Sequence, residues 1–262
     1  MTTGTRSALR TAVVTIVAGR EQHLARQRAA LARGPEVDHV VVGMGAQESA
    51  TLVVPTDGPL PLARARNAGA EAALGAGAEL LVFLDVDCIP GPALVERYRA
   101  AARATGPTLL CGPVTYLRPG ATELRPEPHP ARPDPPDGTL LPEERRELFW
   151  SLSFAVTAEA WRRSGGFCEE YRGYGAEDTD FALAARDRGL GMAWVGGAHA
   201  FHQHHPPTRT DPARVAEIVA NARLFHRRWG SWPMTGWLHD LAAAGAVEFD
   251  PTRDHLTTGV QP

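Results

Sequence analysis

The sequence predicts an α/β fold built on one mostly parallel sheet, and three observations predict it. Ala12-Val13-Val14-Thr15-Ile16-Val17 and the run 37–42 are rich in β-branched apolar residues, the composition of central strands. Between them Leu24 and Leu31 fall two helical turns apart amid Ala and Arg, up to a break at Gly34-Pro35. Strand, helix and strand therefore follow in the βαβ order that makes neighbouring strands parallel. The third observation is Leu80-Leu81-Val82-Phe83-Leu84, an unbroken apolar run that reads as a strand buried on both faces. With 262 residues, 44% hydrophobic and 22% charged, the chain has material for one large α/β domain or one domain with a small appendage.

A formal net charge of -3 supplies no basic footprint, so nucleic acid is not expected as a partner. The cysteines, Cys88, Cys111 and Cys168, have no C-x-x-C spacing, which argues against a disulfide framework or a zinc site and fits a reducing cytosol. The apolar run 11–18 follows Arg6 and Arg10 but is short and lacks an A-x-A cleavage pattern, so it reads as a strand and not a signal peptide. No run approaches the roughly 18 apolar residues of a membrane span. A soluble, cytoplasmic protein is the expectation.

Taken in order, Gly43-Met44-Gly45 ends the second strand, and 51–54 is a third, short one. No G-x-G-x-x-G stands between strand and helix, which weakens a dinucleotide site. Pro61 opens a small-residue helix with Arg64 and Arg66 in its first turns, where cations oppose the helix dipole. An anionic partner such as phosphate, or a solvated face, accounts for them equally. The strand 80–84 ends in Asp85-Val86-Asp87, and Pro90 then stops the ladder. In open α/β sheets ligands bind at the carboxyl ends of strands. Two hard carboxylates there suit Mg²⁺ or Mn²⁺ bridged to a diphosphate, against the plainer reading of a polar turn. Leu94, Val95, Tyr98 and Ala102 form a packing stripe on the next helix. Eight prolines crowd residues 117–144, so that stretch is expected to hold no regular element and to be a mobile segment near the site.

Residues 149–156 read as a further strand, and Thr157 as the cap of a short helix closed by Gly165-Gly166. In Gly173-Tyr174-Gly175-Ala176-Glu177-Asp178-Thr179-Asp180 the glycines allow close backbone approach to a ligand. The three acids that follow open a helix, where acids are ordinarily dipole complements. A strand at 192–195 leads to His199, His202, His204 and His205, four of the ten histidines within seven positions. One of them would complete a cation site begun by Asp87, unless the cluster is a histidine-rich surface loop. A helix from Asp211-Pro212 to Gly230 follows, and Trp229, Trp232, Met234 and Trp237 are expected to build a C-terminal cover.

From about Thr11 to about Trp237 the chain resembles a GT-A fold glycosyltransferase of the inverting family 2 type, with a C-terminal half similar to the β-1,4-galactosyltransferase family. Gly165-Gly166-Phe167 through Asp178 is close to that family's GGF...G-W-G-x-E-D pattern, with Tyr174 at the tryptophan, and Asp85-Val86-Asp87 matches its D-x-D motif. The resemblance implies a single Rossmann-like sheet flanked by helices with a C-terminal helical cover. Residues 1–116 would be the nucleotide-sugar-binding half, 117–144 the Pro-rich mobile loop, 145–240 the acceptor and catalytic half, and 241–262 a tail. It implies Mn²⁺ (or Mg²⁺) bound by Asp87, with His202 as a further ligand, His205 and His204 as the next candidates, and Asp85 on the ribose or the metal shell. Val17, Gly19 and Arg20 would border the nucleotide base, and Arg66 would face the ribose or diphosphate.

Asp178 would be the catalytic base, ionised at its helix start, with Glu177 holding sugar hydroxyls. The implied activity is hexosyl transfer from a nucleoside diphosphate sugar, a UDP-sugar favoured, to an acceptor hydroxyl with inversion. A sugar nucleotidyltransferase would show a glycine-rich, basic loop after the first strand, and Ala18-Gly19-Arg20 is a poor version of one. A non-catalytic nucleotide-sugar or glycan-binding module would have no need of Asp178. The acceptor and the oligomeric state, a homo-oligomer included, stay open.

Overall fold

The structure is a computed structural model that describes residues 8–206 and 210–259; Arg6, Pro207 and residues 260–262 of the tail lie outside the described residues. Its first half runs β1 (Thr11–Val17), α1 (Glu21–Leu31), β2 (Asp38–Met44), β3 (Leu52–Val54), α2 (Leu62–Gly75), β4 (Leu80–Leu84), β5 (Cys88–Pro90), α3 (Leu94–Ala104), β6 (Thr108–Cys111) and β7 (Val114–Tyr116). The second half continues with β8 (Leu140–Pro142), β9 (Ser153–Thr157), α4 (Ala158–Ser164), α5 (Glu177–Asp187), β10 (Gly191–Val195), β11 (Ala200–His202), α6 (Pro212–Trp229), α7 (Thr235–Ala243), β12 (Val247–Asp250) and β13 (His255–Thr258). Among the described residues an eight-stranded sheet has the order β3-β2-β1-β4-β9-β6-β10-β8. β1, β2, β3 and β4 are parallel neighbours, β9 is inserted antiparallel between β4 and β6, and β8 is antiparallel to β10.

The apolar run of β4 sits at the middle of this sheet. Its alternating side chains serve both faces: Leu81 and Phe83 pack with α2, α4 and α5, whereas Leu80, Val82 and Leu84 pack with α3. Phe83 stacks on Phe154 of β9, with ring centroids 4.5 Å apart, and the Phe167 ring of the Gly-Gly-Phe segment stacks on Phe181 of α5 at 4.1 Å. Thr157 caps α4 as its sequence predicts, its hydroxyl accepting from the Ala160 amide at 3.2 Å.

The Pro-rich segment, expected to hold no regular element, contains one. Leu140–Pro142 survives as β8, because an edge strand can dispense with the N–H that Pro142 lacks. Upstream of it the Arg132 guanidinium is buried between the Trp150 and Trp194 rings, and the His129 amide donates to the Val114 carbonyl at 2.9 Å. The region read as a tail contains the end of α7 and the β12–β13 hairpin, whose Val247 and Leu256 share a small core with Ile218 and Leu238. No helix among the described residues is long and apolar enough to cross a membrane.

Candidate active site

Past the carboxyl end of β4 the chain turns, the Cys88 amide donating to the Asp85 carbonyl at 2.8 Å, and enters β5. β5 pairs antiparallel with β11, setting Cys88 opposite His202, and the Gln203 amide donates to the Asp87 carbonyl at 2.6 Å. This small second sheet, completed by β7, brings the histidine segment to the acidic turn. His202 Nε2 lies 3.5 Å from Asp87 Oδ1, and His205 Nε2 lies 3.3 Å from Asp87 Oδ2. The candidate ligand atoms of Asp87, His202 and His205 all fall within 4.8 Å of one another. The Arg20 guanidinium also donates to Asp87 Oδ2. The Tyr116 ring of β7 lies against His202, centroids 4.6 Å apart.

A second cluster adjoins the first. Arg66, on α2 and 4% exposed, donates from Nη2 to Asp85 Oδ1 and from Nη1 to Glu177 Oε1, each at 3.1 Å. One buried guanidinium thus joins the D-x-D turn to the start of α5. That helix is preceded by Ala176 in the left-handed region (φ 68°), which directs Glu177 and Asp178 inward. Gly173 is needed for close approach: a Cβ there would lie 2.3 Å from the Glu217 carboxyl carbon, and Glu217 accepts from the Tyr174 amide at 3.0 Å.

The electrostatics separate these acids. Burial would raise Asp87, but the hydrogen bond from His205 and the charges of His202 and Arg20 outweigh it and hold the carboxyl below its ordinary range. Asp85 is pushed up to about 6, by burial first, with Asp87 and Glu177 adding to the shift and Arg66 opposing it. Asp178 is pushed up to about 7 by burial and by the neighbouring Glu177 charge. This corrects the expectation that a helix start keeps Asp178 fully ionised: the dipole is outweighed by desolvation and a like charge one residue away. Burial lowers His202, favouring the neutral ring.

The structure therefore brings Asp87, His202 and His205 together, and gathers Asp85, Arg66, Glu177 and Asp178 beside them. It does not bring all the expected residues into these groups. Asp85 faces Arg66 and stands outside the Asp87–histidine group. His204 is exposed, and the Val17 side chain is buried among Leu24, Val41 and Val86, so of the expected residues after β1 it is Arg20 whose side chain reaches the acids. The Gly19 amide donates to Gln47 Oε1 at 3.1 Å.

Three supporting residues escape sequence reading. Gln27, fully buried, donates from Nε2 to the carbonyls of Asp85 and Cys88 at 2.8 and 2.9 Å. Asn67 clamps the Gly-Gly-Phe segment, accepting from the Phe167 amide and donating to the Phe167 carbonyl, both at 2.9 Å. Gln203, 2% exposed, carries the backbone amide that holds the Asp87 carbonyl. The only available signals were polar residues adjoining motifs, Gln27 between Leu24 and Leu31 and Asn67 after Arg66.

This sheet, with its acids past the end of β4 and at the start of α5, has the fold of the GT-A glycosyltransferases. A structure of GalNAc-T7 with UDP, GalNAc and Mn²⁺ superposes with a TM-score of 0.57 at 14% identity, covering 76% of this chain and 45% of that one. S. aureus TarS, residues 1–349, superposes with a TM-score of 0.57 at 15% identity, covering 83% of this chain and 66% of that one. At these identities the likeness is one of fold. No family model matches the chain. Over 73% of its length it is 30% identical to proteins named validoxylamine A glucosyltransferase from Streptomyces hygroscopicus subsp. jinggangensis (strain 5008) and subsp. limoneus. The match covers 51% and 47% of those proteins, so the chain spans about half the length of the curated relatives it matches.

Proposed function

We propose that the chain is a metal-dependent inverting glycosyltransferase that moves a sugar from a nucleoside diphosphate sugar, a UDP-sugar favoured, to an acceptor hydroxyl. The observation that carries this reading is the convergence of two clusters. A carboxylate with two imidazoles at Asp87, His202 and His205 adjoins an Asp85–Arg66–Glu177 bridge, centred on a buried guanidinium, whose last member precedes Asp178 in the chain. The relatives named as glucosyltransferases, and a fold neighbour solved with UDP, GalNAc and Mn²⁺, support the same class.

With two imidazoles beside one carboxylate the donor set suits Mn²⁺ better than Mg²⁺, which prefers oxygen ligands: Asp87 is held ionised, and burial favours the neutral ring of His202, the form that ligates. Asp87, His202 and His205 would hold the ion, which when bound neutralises charge on the departing nucleoside diphosphate. The chain's own residues divide the remaining work. Arg66 fixes Asp85 and Glu177 in place, and Glu177 Oε2, not engaged by that bridge, would accept from sugar hydroxyls. Asp178, tuned to about 7, takes the acceptor proton as the hydroxyl attacks the anomeric carbon; a base titrating near the working pH combines an available ionised form with useful basicity.

The test is nucleoside diphosphate release from UDP-, GDP- and dTDP-sugars, with Mn²⁺ or with EDTA. Metal-dependent turnover of one donor supports the reading, and absence of both turnover and Mn²⁺-dependent nucleotide binding overturns it. Asp178→Asn is expected to lower transfer by about 10²-fold or more, the usual contribution of a positioned base, while UDP binding persists. Unchanged transfer would remove Asp178 from the mechanism.

A further inference from the structure

We propose that Arg20 is a tethered counter-cation that holds Asp87 until a divalent ion arrives and is then released toward the diphosphate, so that ion and nucleotide bind cooperatively. The inference rests on the reading of Asp87, His202 and His205 as the ligands of the ion. Arg20 donates to Asp87 Oδ2, the same oxygen that His205 Nε2 approaches at 3.3 Å. The guanidinium therefore stands against one edge of the donor set, where a divalent ion would meet a like charge. Asp87 is 9% exposed at its side chain and Arg20 is 36% exposed, so the carboxylate is enclosed while the arginine side chain keeps access to solvent.

The backbone supports the same assignment. Arg20 sits in the left-handed region, φ 58° and ψ 37°, uncommon outside glycine and costly for a long side chain. It occupies the N-cap of α1 yet makes no side-chain cap, although its carbonyl accepts from the His23 and Leu24 amides. The side chain that leaves this N-cap serves Asp87 and not the helix start. The other site arginine cannot replace it, since Arg66 is committed to Asp85 and Glu177. Once displaced, the Arg20 guanidinium remains tethered to the loop after β1, beside the ion, where a diphosphate bridged to that ion would accept its hydrogen bonds. Each ligand then favours the other: the ion frees the arginine that the diphosphate uses, and the diphosphate stabilises the displaced arginine.

Mn²⁺ binding to the full chain, followed by electron paramagnetic resonance with and without UDP, tests this without recourse to turnover. Arg20→Gly suits the left-handed backbone, and Arg20→Gln keeps a long neutral side chain, with thermal melting to check that each is folded. Both are expected to bind Mn²⁺ alone about tenfold more tightly than the parent chain, and to lose a comparable factor of the enhancement given by UDP, a coupling of ordinary allosteric size. Unchanged or weaker binding of Mn²⁺ alone by both variants would reduce the contact to a structural ion pair and overturn the proposal. Asp87→Asn separates the two levels. If it binds Mn²⁺ as the parent does, or if the parent binds none even with UDP, the ion site itself is wrong, and the role of Arg20 falls with it.

Discussion

Gln27 shows how much of the site depends on a residue that does no chemistry. It lies on the buried stripe of α1 between Leu24 and Leu31, accepts from Thr15 Oγ1 at 2.9 Å, and gives both amide hydrogens to carbonyls of the turn that carries Asp85 and Asp87. Replacing it by leucine keeps the volume but leaves a buried Cys88 carbonyl without this donor. Gln27→Leu is expected to cost about 1–3 kcal/mol in urea unfolding, the penalty of an orphaned buried polar group, and to weaken Mn²⁺ binding through the loosened turn. Unchanged values of both would show that other contacts hold the turn. Periodicity found the two leucines, but a glutamine on the same stripe has no pattern of its own. Its partners are backbone atoms of a distant turn, to which composition is blind.

At the scale of elements, α2 sets the position of Arg66 because it lies unusually close to the sheet. A Cβ on Gly69 would fall 2.5 Å from Val14 Cγ1 and 2.8 Å from Val42 Cγ2, so the helix rests directly on β1 and β2. Gly69→Ala gains helix propensity of about 1 kcal/mol, but the methyl group must push α2 off the sheet, an overpacking cost of about 1–3 kcal/mol. Net destabilisation is expected in urea unfolding, together with reduced donor turnover as Arg66 is carried away from Asp85 and Glu177. A stabilised, fully active variant would contradict this close packing. The strand–helix–strand opening and the doubly buried β4 were legible because local periodicity and burial coincide there. The antiparallel insertion of β9 and the edge strand β8 were not, since strand order is decided by long-range pairing that no window of sequence contains.

Over the whole molecule, the candidate site joins segments far apart in the chain: the β4 turn, the α2 arginine, the α5 start and the end of β11. Its residue types were visible in the sequence. The partition was not, because nothing local told that Asp85 would turn to Arg66 while Asp87 took the histidines, or that crowding would raise Asp178. That crowding links activity to stability through pH. Unfolded, Asp178 titrates near about 4; folded, it titrates at about 7. Below both values the two states are equally protonated. Between them the folded chain keeps a proton that the unfolded chain has lost, so the unfolding free energy falls as pH rises through this window and levels off above it. Transfer should move the other way, rising through about pH 7 as the base ionises. Urea unfolding at a series of pH values, parent against Asp178→Asn, isolates the group, because asparagine does not titrate. The parent is expected to lose stability relative to the variant steadily from about pH 4 to 7. A difference that does not change with pH would mean that Asp178 is ionised throughout, and that the rise in rate, if seen, belongs to another group.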